Sequence, residues 1–98
     1  MKSGIKIRCE LQNLFRMNMK MIFVLIDENM TTFGKRCYVT RQTMANYFSD
    51  YSITPMDFVS MMYFAHYMIE EKPAGEKRKK ARELYLEIWN DYQKNGLV

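Results

Sequence analysis

The chain is short of the residues that most site chemistries need. It has a single histidine, His66, two cysteines and four scattered glycines among its 98 residues. Glycines this sparse and ungrouped cannot make a loop that cradles phosphates. Cys9 and Cys37 are too few for a disulfide framework and lack metal-ligand spacing. Reduced thiols in a cytoplasmic setting are therefore the expectation, and no metal or other cofactor is implied. The two thiols could pair only if residues 5–11 and 35–40 lay side by side. His66 sits in an apolar stretch with no cysteine at ligand spacing, which makes it a packing or boundary residue. No Ser–His–Asp or Cys–His arrangement can be assembled beyond the bare residue types, so enzymatic activity is not expected. A long apolar run is missing too. MKMIFVLI at 19–26 is too short to span a bilayer, follows a charged segment and lacks a small-residue cleavage site. Neither a membrane span nor a signal peptide is expected from it.

What is present suits a globular core. Apolar residues make up 48% and aromatics 14%, enough to bury a centre, and charged residues at 27% are ordinary. With no repeats or low-complexity linkers, residues 1–98 are expected to form one domain. Ten methionines stand out. Methionine fills irregular gaps and equally suits an adaptable contact face. The net charge of +4 is uneven: residues 1–50 hold eight Lys or Arg against four Asp or Glu, whereas residues 51–98 hold seven of each. A basic first half favours acidic or polyanionic partners without requiring them.

Along the chain, IKIRCEL at 5–11 alternates apolar and polar residues, the period of a half-buried strand. A helix from about residue 8 through Leu11, Leu14, Phe15 and Asn18 competes with that reading. MKMIFVLID, apolar on both faces, is expected to be a central strand. DENMTTFG supplies turn chemistry, and KRCYVT at 35–40 then returns as the second strand of a hairpin, its edge protected by Lys35, Arg36 and Arg41. From Thr40, a good N-cap, the period becomes helical through Met44, Tyr47 and Phe48 to about Asp50 or Tyr51. Thr54, Pro55 and Asp57 mark the clearest helix start, of a helix running from 55 to about 71. Pro73, Ala74 and Gly75 break the chain. A last helix is expected over about 76–94, with Ala81, Leu84, Tyr85, Ile88 and Tyr92 as its buried stripe and Gly96 ending it. The predicted fold class is α+β, mostly helical: an N-terminal β-hairpin or short antiparallel sheet followed by three helices.

Residues 39–69 raise the question of DNA reading. TRQTMANYF resembles the positioning helix of helix-turn-helix proteins, with Met44, Ala45 and Phe48 at its apolar and small positions. Such a resemblance implies that the following helix lies in the major groove. Two features depart from the pattern. The connection SDYSIT is longer than the usual tight turn and has no glycine. The second helix offers only Ser60 and His66 for base edges and carries Asp57 in its first turn, which repels phosphate. Eleven of the fourteen residues 56–69 are apolar. A helix apolar nearly all round is a packing or interface element.

Two functional readings follow. Phe58, Met61, Met62, Ala65 and Ile69 can face the core, which leaves Val59, Tyr63, Phe64, Tyr67 and Met68 as a candidate protein interface for self-association or a protein partner. On this reading the chain is a small, non-enzymatic, basic regulatory protein, in character like an inhibitor from a virus or mobile element. The alternative is a nucleic-acid-binding protein gripping phosphates, or an acidic partner, through Lys77, Arg78, Lys79, Lys80, Arg82, Lys35, Arg36 and Arg41. Glu83, Glu87 and Asp91 turn the later part of the last helix acidic, which limits a phosphate track. Asp27 and Glu28 are read as turn and cap residues rather than a catalytic pair.

Overall fold

The computed structural model describes residues 2–49 and 53–94, the stretch 2–12 and Pro55 by their backbone. Among these residues there are five helices and no strand: α1 (Lys2–Ile26), α2 (Met30–Arg36), α3 (Arg41–Tyr47), α4 (Pro55–Glu70) and α5 (Glu76–Lys94). The α+β expectation is overturned. Nothing between residues 5 and 26 breaks a helix, since neither proline nor turn chemistry separates IKIRCEL from MKMIFVLI. Phe15, Asn18, Met19, Ile22, Phe23 and Ile26 are buried at helical spacing, while Met17, Lys20, Met21 and Val24 are exposed. The run at 19–26 looked two-faced because apolar side chains occupy both its buried and its exposed sides. Whether residues 5–11 alternate in burial lies outside the described side chains, as does Cys9.

The expected hairpin is a pair of short helices. Asn29 caps α2: its side chain accepts from the Thr32 N–H at 2.9 Å, and the Thr32 hydroxyl accepts from the Asn29 N–H at 3.1 Å. Residues 35–40 finish α2 and turn into α3, so Lys35, Arg36 and Arg41 protect no sheet edge. α1 and α2 both end on a left-handed residue, Asp27 (φ 57°) and Tyr38 (φ 58°). At each end the N–H of the residue after the left-handed one reaches back five positions to close the turn: Glu28 to the Phe23 carbonyl at 2.8 Å, and Val39 to that of Gly34 at 3.1 Å.

The later helices begin where local chemistry dictates. Thr40 and Thr54 accept from the Thr43 and Asp57 N–H groups, each at 3.1 Å. α3 ends at Tyr47, with the Phe48 N–H satisfied by the last carbonyls, short of the expected end at Asp50 or Tyr51, which lie outside the described residues with Gly96. The α5 stripe of Ala81, Leu84, Tyr85, Ile88 and Tyr92 is buried as expected. α1 and α5 form the most extensive pairing, α4 packs on α5, and α2 touches both α3 and α4. A chain of ring contacts links the core: Phe33 to Phe23, Phe48, Phe15 and Phe58, which stacks on Tyr92 with centroids 3.8 Å apart. No helix among the described residues is long and apolar enough to cross a membrane.

Candidate functional site

α4 divides its apolar residues between two surfaces. Phe58, Met61, Met62, Ala65, Met68 and Ile69 are buried in the core. On the outer side Met56, Val59, Tyr63 and Tyr67 are 81%, 41%, 57% and 49% exposed. Their spacing of three, four and four residues places them in one stripe along the helix. Of the five interface residues expected from sequence, Val59, Tyr63 and Tyr67 are exposed, Phe64 is half-buried, and Met68 is covered. The reason is periodicity: Met68 lies seven residues after Met61, two turns along the same inward face.

The outer face extends beyond α4. Tyr63 and Tyr67 meet edge-on, with centroids 5.0 Å apart and their hydroxyls hydrogen-bonded at 3.2 Å. That shared bond raises the Tyr63 hydroxyl above its ordinary value. Tyr63 also meets Phe64 edge-on, and Phe64 meets Tyr38 the same way at 6.1 Å. His66 adds contacts to Tyr67 and Tyr85. Tyr38 is 89% exposed while held in the left-handed conformation. Sequence reasoning missed both Tyr38, hidden in a presumed strand, and Met56, hidden next to the proline that opens α4. From Phe58 to Ile69 the helix carries no Asp, Glu, Lys or Arg.

The basic residues are not gathered into one grip. The Arg82 guanidinium pairs with both Glu70 carboxylate oxygens, at 2.9 and 2.7 Å. Arg78 donates to the Lys72 carbonyl at 3.0 Å, tying down the α4–α5 connection. Arg36 pairs with both oxygens of Glu71, at 3.1 and 2.8 Å, and lies 3.8 Å from Glu28. Among the described residues no carboxylate pairs with Lys77, Lys79, Lys80, Lys35 or Arg41. The first three stand on the exposed start of α5. Lys35 and Arg41 border a groove of about 360 Å³ between α2 and α3, floored by Met30, Gly34, Val39 and Met44. Of the eight basic residues, five thus have no carboxylate partner among the described residues: three on α5, one on α2 and one on α3.

Glu28 is the centre of an ionic cluster. It receives Lys72 Nζ at 2.7 Å and the Thr32 hydroxyl at 2.7 Å. Burial would raise its carboxyl, but these hydrogen bonds and the charges of Lys72 and Arg36 outweigh burial and hold it below the usual range. Asp27 serves as the left-handed residue after α1. Cys37 is half-buried against the core, and burial pushes its thiol up to about 12. No group of three or more His, Cys, Asp or Glu that could hold a metal occurs among the described residues. Compared with known proteins, the chain matches no family model, no curated protein and no solved structure.

Proposed function

We propose that the protein works by binding another protein chain through the outer face of α4, extended by Tyr38, and that it acts by occupying a surface rather than by turning over a substrate. The observation that carries this reading is Tyr38. A bulky side chain in the left-handed region costs roughly 1–2 kcal/mol, which glycine would avoid. Its ring is 89% exposed, so packing within the chain recovers little of that cost. A partner surface supplies the missing return. Exposed tyrosines and methionines suit such a surface, because they offer large contact area with a polar tip or a flexible stem. The charge-free stretch of α4 favours a protein over a polyanion, since phosphates need cations in the contact face itself.

A photoreactive side chain at position 63 tests the reading, with Leu86, an exposed apolar residue of α5, as the control position. Protein adducts at position 63 that exceed those at position 86, and that fall when Met56→Asp is added, are expected. Equal or absent adducts at the two positions would overturn it. Steeply salt-dependent binding of mixed-sequence DNA or RNA, lost when Lys77, Lys79 and Lys80 are replaced together, would move the function to the α5 cations instead.

A further inference from the structure

From the spacing along α4, we infer that the chain seated on this face is a second copy of the protein, paired antiparallel about Tyr63; the inference rests on the protein-binding reading above. In a two-fold pair of identical helices every contact occurs twice, residue i of one copy meeting j of the other and j meeting i. The outer residues of α4 suit such a pair. Met56, Val59, Tyr63, Tyr67 and Glu70 are separated by three, four, four and three residues, a palindrome centred on Tyr63. An antiparallel pair with Tyr63 on the axis sets the small Val59 of each copy against the large Tyr67 of the other. Each Met56 falls opposite Glu70, whose carboxylate is already turned onto Arg82. A parallel pair would instead place tyrosine on tyrosine and valine on valine, leaving an uneven gap, and would align the helix dipoles.

Charge and area agree with this occupant. An isologous contact brings every charge near its own copy, so like charges close to the axis repel. Residues 58–69 carry none. Taking roughly 150–250 Å² for a fully open side chain of this size, the exposed parts of Met56, Val59, Tyr63, Tyr67 and Tyr38 offer on the order of 700 Å² per copy, close to the ~800 Å² per partner of a standard specific interface. Tyr38 packs against Phe64, next to the axis position, and widens the seam on one flank.

Sedimentation equilibrium of the intact chain from about 1 to 200 μM tests the pairing. The wild type is expected to approach twice the monomer mass. Tyr63→Arg sets like charges on the axis and Tyr63→Ser removes the ring; each should raise the dissociation constant roughly tenfold or more. Val59→Lys and Tyr67→Glu should each weaken the dimer, and the two together in one chain should restore it, because each lysine then faces a glutamate of the other copy. A wild type that stays monomeric throughout, a dimer indifferent to positions 59, 63 and 67, or a double variant no tighter than its weaker parent would overturn the proposal. A monomer whose position-63 photoadduct has a different mass would leave the protein-binding reading standing. A monomer without adducts would end both.

Discussion

Asn18 reaches from α1 into α5, where its Nδ2 donates to the Leu84 carbonyl at 3.1 Å and to Glu87 Oε1 at 3.0 Å. It is the one buried polar side chain among the described residues, 1% exposed within the α1–α5 interface. Both of its amide hydrogens are therefore used, one by each acceptor. Asn18→Leu should lower unfolding free energy by about 1–2 kcal/mol. Asn18→Asp should cost more at neutral pH, because a carboxylate would then face a carbonyl and the Glu87 carboxylate with no proton to share. Its deficit relative to Asn18→Leu should shrink as pH falls toward 4, when a protonated carboxyl can donate again. Urea denaturation at two pH values checks both the size and the trend.

Asn18 also shows how far the pattern of residues reaches. It was visible only as a member of a helix competing with a strand over residues 5–18. Its role was not legible locally, because both of its acceptors lie on α5, more than sixty residues away. Val24 is 83% exposed and Met21 and Met17 are open as well, so between residues 17 and 24 the outer side of α1 mixes apolar side chains with Lys20. α4 and α5 were legible because their signals are local: Thr54 with Pro55, the break at Pro73 to Gly75, and, in α5, a clear 3.6 period. α2 was obscured because Asn29 and Gly34 suit a turn as well as a cap and a helix position facing Met44. The outer face of α4 could be drawn from its wheel, but Tyr38 could not, since only the left-handed turn after α2 brings it to Phe64.

The two faces of α4 should separate cleanly in stability measurements. Met68 is fully buried, so Met68→Ala leaves a cavity and should cost about 2–4 kcal/mol. Tyr63→Ala at micromolar or lower concentration should change monomer stability by less than about 1 kcal/mol, since its ring is largely open. Chemical denaturation of the two variants decides the matter. Similar large losses would place Tyr63 in the monomer core and remove it from any interface.

Tyr38→Gly should act in opposite directions on stability and on binding. Relief of the left-handed backbone should outweigh the added freedom of the unfolded chain and raise stability by roughly 0.5–1 kcal/mol. The lost ring should weaken association through α4. Thermal melting of dilute protein and sedimentation of concentrated protein measure the two effects separately. A destabilised Tyr38→Gly variant would mean that the contact with Phe64 supports the monomer after all.

The Glu28 cluster sets an acid limit on the fold. Arg36 lowers the Glu71 carboxyl and Arg82 lowers that of Glu70, both chiefly through their hydrogen bonds; Glu28 is lowered despite its burial. A folded carboxyl below its unfolded value of about 4.3 contributes stability that is complete above that value and is lost as pH falls through the depressed one. The melting temperature should therefore be flat above about pH 5 and fall below about pH 4. Lys72→Met, which leaves the nearly covered Glu28 carboxylate with Arg36 at 3.8 Å, should cost about 1–2 kcal/mol at neutral pH and reduce the acid dependence. Melting curves from pH 3 to 7 test this; an unchanged acid slope in Lys72→Met would assign the limit to other carboxylates.

Cys37 makes the opposite prediction at alkaline pH. Its thiol, pushed up to about 12 by burial, is almost wholly protonated at pH 8, where an open thiol near 8.5 is substantially ionised. In a Cys9→Ser background, labelling by a thiolate-selective disulfide reagent at pH 8 should be about a thousandfold slower in the folded protein than in urea. The sign of the linkage follows. A group whose folded value lies above its unfolded one contributes fully below about pH 8.5 and loses that contribution as pH rises toward 12. Stability should therefore decline from about pH 9 upward, and Cys37→Val, which keeps an apolar group of similar size at this half-buried site, should remove part of the decline. Rapid labelling of the folded chain would show that the thiol is open, and both expectations would fall together.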